Sequence, residues 1–591
     1  MAKIGNYRMK SLSYLNKYLI KYKWRLLLGA IFIFGSNYFK VEMPNYFGEI
    51  IDELKSWNAE DSTDSLLIYA LKAGGYFMLL SLLSSVFLFM TRQTIIIMSR
   101  LIEYDLKNDI YQQYQRLSFS FYKRNNTGDL MNRISEDVTK VRMYLGPGIM
   151  YSINLVVLSI FVIKSMLVIS PYLTLYVLIP LPIMSLIIYK VSSKINSIST
   201  LVQEEQSRMS TLVQETFSGI RVIKAYGRTA EIENKFNESA ESYKTKNMKL
   251  VLVNSLFMPT IFVLIGVSTI LSIYVGGLLH YDEQISLGDI VKFIFFVNML
   301  TWPFATIGFV TAMVQRAAAS QTRINEFMEE EAEIVNTVKT PFTFSGKIEF
   351  KNVCYNYPNS GIDAIKNLSF VIEKGESLGI VGKTGSGKST ILNLLMRHIE
   401  VDSGEILIDD TPLKEINLDE FRNQTGVVPQ DVFLFSDSIR NNILFGCLDA
   451  SVAEKRLVKV SKEAHVYHNI IEFKNGFDTL LGERGVNLSG GQKQRVSIAR
   501  ALIREPQLLL LDDCLSAVDT ETEEIILSNL AKKKMTSLVV SHRISSIRNA
   551  HTILNIENGE VIEKGTHKEL IDANGGYAEL YRKQLTEEEK S

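Results

Sequence analysis

The chain has 591 residues, more than one domain's worth, and its 64 basic and 64 acidic side chains cancel, so no bulk attraction to nucleic acid is implied. Hydrophobic residues make up 47% of it and concentrate ahead of Arg316; the remainder has the composition of a soluble α/β domain. Three scattered cysteines, Cys354, Cys447 and Cys514, exclude a disulfide framework and suit a reducing compartment, as small core side chains.

The N-terminal stretch alternates apolar and basic residues. It predicts a helix over Leu12–Trp24 lying on a membrane surface, basic side toward lipid headgroups. It has no short apolar core with a small-residue cleavage site, so no secretory signal is expected. A bilayer-crossing helix needs ~20 mostly apolar residues, and six stretches qualify: 25–50, 66–91, 147–169, 172–190, 253–279 and 288–314. Only Ser170–Tyr172 separates the third from the fourth, which predicts a tight hairpin. Residues 1–25 carry seven Lys or Arg and no acid, and 92–146 is also rich in both bases. By contrast, Asp52–Asp64 has one lysine against five acids, and His280–Gln284 has no Lys or Arg. The positive-inside bias places the N-terminus in the cytoplasm and, after six spans, the C-terminal domain too.

The two cytoplasmic connections, 92–146 and 191–252, are polar but keep helical apolar spacing with almost no proline. They predict membrane helices that continue far into the cytoplasm, each with a short break, at Ser118–Asp129 and at Phe217–Gly227. Such a break is either a plain helix-turn-helix or a place where a membrane domain touches a soluble one. Within the spans lie the polar groups Lys40, Glu42, Asn154, Lys164 and Asn298. Intramembrane charges face a bundle interior or a wet cavity, or snorkel from a span end, as Lys164 is placed to do. Lys40 and Glu42, two apart, point to different helix faces. Phe293, Phe295, Phe296 and Trp302 contact lipid or line an apolar pocket.

From about Gly346 the pattern alternates as strands do. Residues 378–399 then read as strand, glycine loop and helix, with Gly382, Lys383, Thr384, Gly385, Ser386, Gly387, Lys388, Ser389 and Thr390 fitting G-x-x-x-x-G-K-[ST] and the helix start. The glycines let backbone N–H groups wrap phosphates, Lys388 reaches the β- and γ-phosphates, and Ser389 binds a magnesium ion. Asp512, ending the apolar run Leu508–Leu511, is the second magnesium contact. Leu488, Ser489, Gly490, Gly491 and Gln492 precede a basic helix and offer a second phosphate-binding surface. One triphosphate does not need two such surfaces in one chain. The simplest arrangement has each chain's glycine loop face another chain's Leu-Ser-Gly-Gly-Gln, with ATP between.

These motifs identify the soluble part as similar to the nucleotide-binding domain of an ATP-binding-cassette (ABC) transporter. With six spans ahead of it, the chain resembles an ABC exporter half-transporter over nearly its whole length. The fold implied is a membrane α-helical domain (1–330) joined by a linker (331–345) to an α/β P-loop nucleotide-binding domain (346–585). The resemblance also assigns roles. Tyr357 is similar to the aromatic residue that stacks on adenine, and Gln430 to the glutamine that senses the γ-phosphate and magnesium. Leu481–Gly485 resembles the segment that touches the partner's cytoplasmic loops, and Ser516–Asp519 the D-loop that crosses the dimer. His542 resembles the switch histidine that holds the γ-phosphate. The two helix breaks resemble coupling helices.

One position departs from the pattern. Family members that hydrolyse ATP well carry glutamate where this chain has Asp513, the acid beside the attacking water. Removing one methylene withdraws the carboxylate by roughly 1.5 Å, and displacement on that scale costs around a hundredfold in rate. The resemblance therefore implies a degenerate ATP site and a heterodimer with a second half-transporter that supplies the competent one, as in bacterial multidrug exporters of the inner membrane. His542 is retained, so a homodimer using Asp513 as a slow base stays open. The implied cofactors are ATP and Mg2+, and the implied cargo is a small hydrophobic drug or a membrane lipid. An ATP-gated channel or regulatory subunit is the competing class.

Overall fold

The computed structural model describes residues 11–56, 63–358, 361–482 and 485–588. The chain divides into two units, Met1–Gln115 with Asn126–Glu330, and Arg116–Asn125 with Glu331–Ser591.

The first unit is helical. Five described helices are long and apolar enough to cross a membrane: Lys23–Lys55, Leu66–Arg116, Thr127–Ile169, Thr229–Tyr281 and Leu287–Met328. The fourth predicted span falls on two consecutive helices, Pro171–Leu178 and Pro180–Ser218, and several side chains there, like that of Trp302, lie outside the description. The 53-residue helix Thr229–Tyr281 is roughly 80 Å long, against about 30 Å of hydrocarbon. Its polar N-terminal half therefore belongs in water. At the hairpin, Ser170 accepts the Leu173 N–H at 3.2 Å. Pro171 takes the first helical position, where its missing N–H costs nothing.

Small and polar residues set the helix packing. Ser36 and Ser84 exchange hydroxyl-to-carbonyl bonds of 3.0 Å each. A side chain at Gly288 would strike the Gly48 carbonyl. Asn154 accepts from the buried Asn37 amide at 2.9 Å, whereas Asn298 donates to Ile294 of its own helix. Asp52 accepts the Gly288 N–H at 2.8 Å and the Ser286 hydroxyl at 2.5 Å, capping the helix that starts at Leu287.

The N-terminal segment differs from the surface helix expected. It is broken into Leu12–Leu15 and Asn16–Lys21, with a new helix from Lys23, and part of its basic face is turned on protein. Lys17 and Tyr18 donate to Asp109 at 3.0 and 2.6 Å; Lys21 and Tyr22 donate to Asp105 at 2.6 and 3.0 Å. Positions four apart on each helix share a face, so the two helices carry matching ladders.

Both helix breaks contain a short helix. Phe119–Arg124 is followed by Asn126, whose side chain caps Thr127–Asn132. Ile220–Ala225 lies between Gly219 and Gly227, the latter at a left-handed φ of 63°.

The second unit has ten strands among its described residues: β1 (Ile348–Tyr357), β2 (Ile362–Ile372), β3 (Ser377–Val381), β4 (Ser403–Ile408), β5 (Thr411–Pro412), β6 (Thr425–Val428), β7 (Leu508–Asp512), β8 (Thr536–Val540), β9 (Thr552–Glu557) and β10 (Glu560–Gly565). An antiparallel sheet runs β2-β1-β4-β5. A second sheet runs β10-β9-β3-β8-β7-β6 and is parallel from β9 to β6. The run Leu508–Leu511 is 0–1% exposed, as befits a central parallel strand covered on both faces. A separate apolar core, with Ile443, Leu457, Val496 and Ile498, joins the helices Ile439–Leu444 and Ala450–Glu463 to Gly490–Leu502.

Arg116–Asn125 packs within this unit. Phe119 meets His398 with ring centroids 5.5 Å apart, Arg124 pairs with Glu333 at 2.6 Å, and Ser118 accepts the Ile334 N–H at 3.0 Å. Residues 331–345 are fastened too: Asn336 donates to Asp419 at 2.8 Å, and Phe344 is 1% exposed.

Candidate nucleotide site

The parallel sheet gathers the chemistry. Strands β3, β8, β7 and β6 are consecutive neighbours, and from their C-terminal ends leave, in that order, the Gly382 loop, His542, Asp512–Asp513 and Gln430. In open parallel sheets the crevice beyond these ends is where ligands bind.

The glycine loop needs its glycines. Gly385 and Gly387 take left-handed φ of 83° and 97°. A side chain at Gly387 would meet the Ala364 carbonyl, and one at Gly382 the Ile556 carbonyl. Gly387 caps the helix Lys388–Leu395, whose start points at the loop. Lys383, Thr384 and Gly385 are exposed, Ser386 and Thr390 buried. The Ser386 hydroxyl is buried without a hydrogen-bond partner.

Lys388 is 6% exposed and folds back on its loop, donating to the Gly382 and Lys383 carbonyls at 2.8 Å each. Burial holds its ammonium below the usual lysine range, with Asp513 and Asp512 pulling the other way. Ser389 donates to Asp512 at 3.0 Å. Burial pushes the Asp512 carboxyl up, against the Ser389 bond, and neighbouring Asp513 pushes it further. Among the described residues neither the buried Lys388 ammonium nor the half-buried Asp512 carboxylate forms an ion pair, although each feels the other's charge. The Ser389 hydroxyl and Asp512 carboxylate are hard oxygen donors of the kind magnesium takes. Gln430 stands at the neighbouring strand end, exposed, and bonds neither of them among the described residues.

Asp513 has a φ of 43°, an aspartate-tolerated left-handed turn. Its N–H donates to Val540 at 2.8 Å, and its carboxylate accepts the His542 backbone N–H at 3.3 Å. The two residues are therefore joined directly. Tyr357 hydrogen-bonds Thr390 at 3.1 Å between hydroxyls, which places its ring beside the loop helix, and the Lys123 ammonium lies 5.4 Å from that ring.

Leu488–Gln492 is built differently. Ser489 caps the helix Gly490–Leu502: its hydroxyl accepts the Gln492 N–H at 3.3 Å, and the Gln492 side chain accepts the Ser489 N–H at 3.0 Å. Leu488 is buried; Ser489 and Gly490 are exposed. Among the described residues no hydrogen bond or ion pair joins this segment to the glycine loop, Asp512, Asp513 or His542. The described residues hold the glycine loop and this segment without bringing them together. Glu483 and Arg484, within Leu481–Gly485, lie outside the described residues.

Residues 26–304 match the family pattern of the ABC transporter transmembrane region, and residues 365–516 that of the ABC transporter. The chain is 35% identical to the probable multidrug resistance ABC transporter ATP-binding/permease protein YheI of Bacillus subtilis, over 95% of this chain and 96% of that one. It belongs to the ABC transporter family. It is also 35% identical to the multidrug resistance-like ATP-binding protein MdlA of Escherichia coli, over 82% of each. The ATP-dependent lipid A-core flippase of Pseudoalteromonas translucida is 33% identical, over 82% of this chain and 84% of that one. With both domains in one chain, this ABC transporter is an exporter-type half-transporter and an ATPase coupled to transport. Half-transporters of this kind work as dimers.

Two side chains that no motif flagged tie the transporter's site together. Arg543 donates to the Ser516 and Val518 carbonyls at 2.9 and 3.2 Å, so the loop after Asp513 is held by the residue after His542. Arg500 donates to the Phe433 and Asn442 carbonyls at 2.8 and 2.7 Å, joining the helix that starts at Gly490 to the segment after Gln430. Burial holds Arg500 down to about 10. The signal available in the sequence was weak: an arginine inside an apolar helix stretch, and one adjoining the histidine.

Proposed function

We propose that this chain is one half of a heterodimeric exporter of hydrophobic, drug-like or lipid-like compounds, and that its own ATP site binds nucleotide but rarely cleaves it. One observation carries the reading: Asp513 stands where a glutamate base is needed, on a left-handed backbone, with its short carboxylate engaged by the His542 N–H at 3.3 Å. Lys388, Ser389 and Asp512 remain, so binding is retained.

In this reading adenine stacks on Tyr357. Backbone N–H groups of Gly382–Gly387 wrap the phosphates, and Lys388 exchanges its two loop carbonyls for phosphate oxygens. Ser389, Asp512 and Gln430 would hold Mg2+, which offsets phosphate charge when bound. The partner's Leu-Ser-Gly-Gly-Gln closes over this nucleotide, and His542 holds the γ-phosphate. This chain's exposed Ser489 and Gly490 serve the partner's nucleotide, where most hydrolysis occurs. ATP shifts the pair toward the closed form because it binds that form better. Asp513 retains some capacity as a slow base.

Further observations fit a dimer. In the break at Phe217–Gly227, Phe217, Val222 and Tyr226 are 71%, 60% and 78% exposed, an apolar set suited to a partner's cassette. The breaks would then act as coupling helices. The charge bias of the loops supports a cytoplasmic N-terminus and cassette in a bacterial inner membrane. Lipid as cargo gains support from the flippase relatives. The test is a pull-down of the tagged chain from its native membranes, in mild detergent, with mass spectrometry. The expected result is a second half-transporter in equal amount, carrying glutamate at the position of Asp513. Recovery of this chain alone, as a dimer of itself, would overturn the heterodimer.

A further inference from the structure

Arg543, the residue after His542, holds the loop after Asp513, but the histidine's own backbone is fixed from elsewhere. The helix Gly576–Glu588 lies against the segment after β8. Its Tyr577 packs with Ile544 and Ile547 in one apolar cluster, with Leu580 and Tyr581 at the edge. From the next turn of this helix, the Gln584 amide grips both sides of the loop: Nε2 donates to the His542 carbonyl at 2.7 Å, and Oε1 accepts the Ile544 N–H at 2.9 Å. A carbonyl accepts only and an N–H donates only, so the amide can face one way. Primary amides are the side chains that present a donor and an acceptor side by side in one plane. The same helix is anchored at its start, where Tyr577 donates its N–H to Glu563 at 2.8 Å and its hydroxyl meets His567 at 2.7 Å.

We infer that Gln584 is a positioning residue for the γ-phosphate contact: its amide sets the backbone of His542, and so the place from which the imidazole reaches the nucleotide. The inference rests on the reading of His542 as the switch histidine. The loop before His542 is held by strand β8, and the one after it by this amide. Without the amide, the His542 carbonyl and the Ile544 N–H lose their partners together, and the loop gains freedom at the residue that must distinguish ATP from ADP. A contact to the γ-phosphate affects ATP alone, so the loss falls on ATP and spares ADP.

The experiment uses the full chain in its native membranes, photolabelled with azido-ATP, with ATP and ADP as competitors and the label read on this chain's gel band. His542→Ala is expected to lower ATP affinity relative to ADP. Gln584→Met keeps the side-chain volume and removes both bonds. It is expected to lower the same ratio about fivefold or more, the scale of one net hydrogen bond. Gln584→Glu keeps an acceptor for Ile544 but sets a carboxylate against the His542 carbonyl, and gives the same loss if the methionine variant does not fold. Tyr577→Phe loosens the other end of the helix and leaves the ratio unchanged. A normal ratio in both Gln584 variants, with a lowered one in His542→Ala, overturns the inference and leaves the histidine reading standing. An equal loss in Tyr577→Phe overturns it too, because Gln584 would then only hold the fold. An unchanged ratio in His542→Ala removes the histidine reading and the inference together.

Discussion

In the proposed reading Asp513 is one methylene shorter than the glutamate base it stands for. The carboxylate does not merely fall short of where a glutamate would reach; it rests on the His542 backbone at 3.3 Å. Asp513→Glu therefore lengthens the side chain and releases it from that rest. In a complex whose partner site has been disabled by Glu→Gln, it should raise ATP turnover about tenfold or more. Unchanged turnover would overturn the proposal that the length of the Asp513 side chain limits hydrolysis. The glycine loop with Lys388 and Ser389 was legible as a strand, loop and helix start because its spacing is local, and Asp512 was legible as the end of the apolar strand Leu508–Asp512, which the structure brings to Ser389. The Asp513 rest was not, because it joins positions 29 apart across neighbouring strands and depends on a backbone angle that no residue type dictates. Arg500 and Arg543 escaped for a similar reason: each bonds two main-chain carbonyls, which every residue has.

Among the elements, five of the six expected spans and the two helix breaks were readable from composition and turn chemistry. The partners of the exposed faces were not. The Asp105–Asp109 ladder needed knowledge of which face of a long helix meets the N-terminal segment, and seven basic residues near the start suggested lipid equally well. The short helix Phe119–Arg124 carries a consequence of its own, because it rests on His398. Burial and the charges of Arg422 and Lys123 hold that histidine down to about 4, from an ordinary 6.5. Between these values the unfolded chain takes up a proton that the folded protein refuses, so stability falls as pH drops through this window and is intact above it. Taking detergent-solubilised full chain from pH 7 to pH 5 should cost on the order of 1–2 kcal/mol through this group. Thermal unfolding at both pH values would show it, and His398→Gln should remove that part of the difference. An equal pH dependence in the variant would exclude His398 as the source.

For the molecule as a whole, the proposed reading has the glycine loop and Leu488–Gln492 of one chain serve two different nucleotides. Ser489→Ala should leave azido-ATP labelling of this chain unchanged and lower ATP turnover of the assembled pair at least tenfold, on the scale of losing a charge-assisted contact of about 1.5–3 kcal/mol. Lost labelling of this chain would instead mean that its Leu488–Gln492 segment serves its own nucleotide. The variant also loses the cap of the helix Gly490–Leu502, worth about 1 kcal/mol. A melting curve beside the turnover separates that effect.

The helix Thr229–Tyr281 has a mechanical meaning that its sequence only hints at. A straight rod of roughly 80 Å, tilted by about 10° around its midpoint, swings each end through roughly 7 Å, in opposite directions. It is a lever with nearly equal arms. Pro259, inside the helix, removes one rung of its hydrogen-bond ladder and marks the point at which the rod can yield. A push at the Thr229 end is delivered, reversed, at the Tyr281 end, and the stiffness between Thr229 and Pro259 sets how much of the stroke survives the journey.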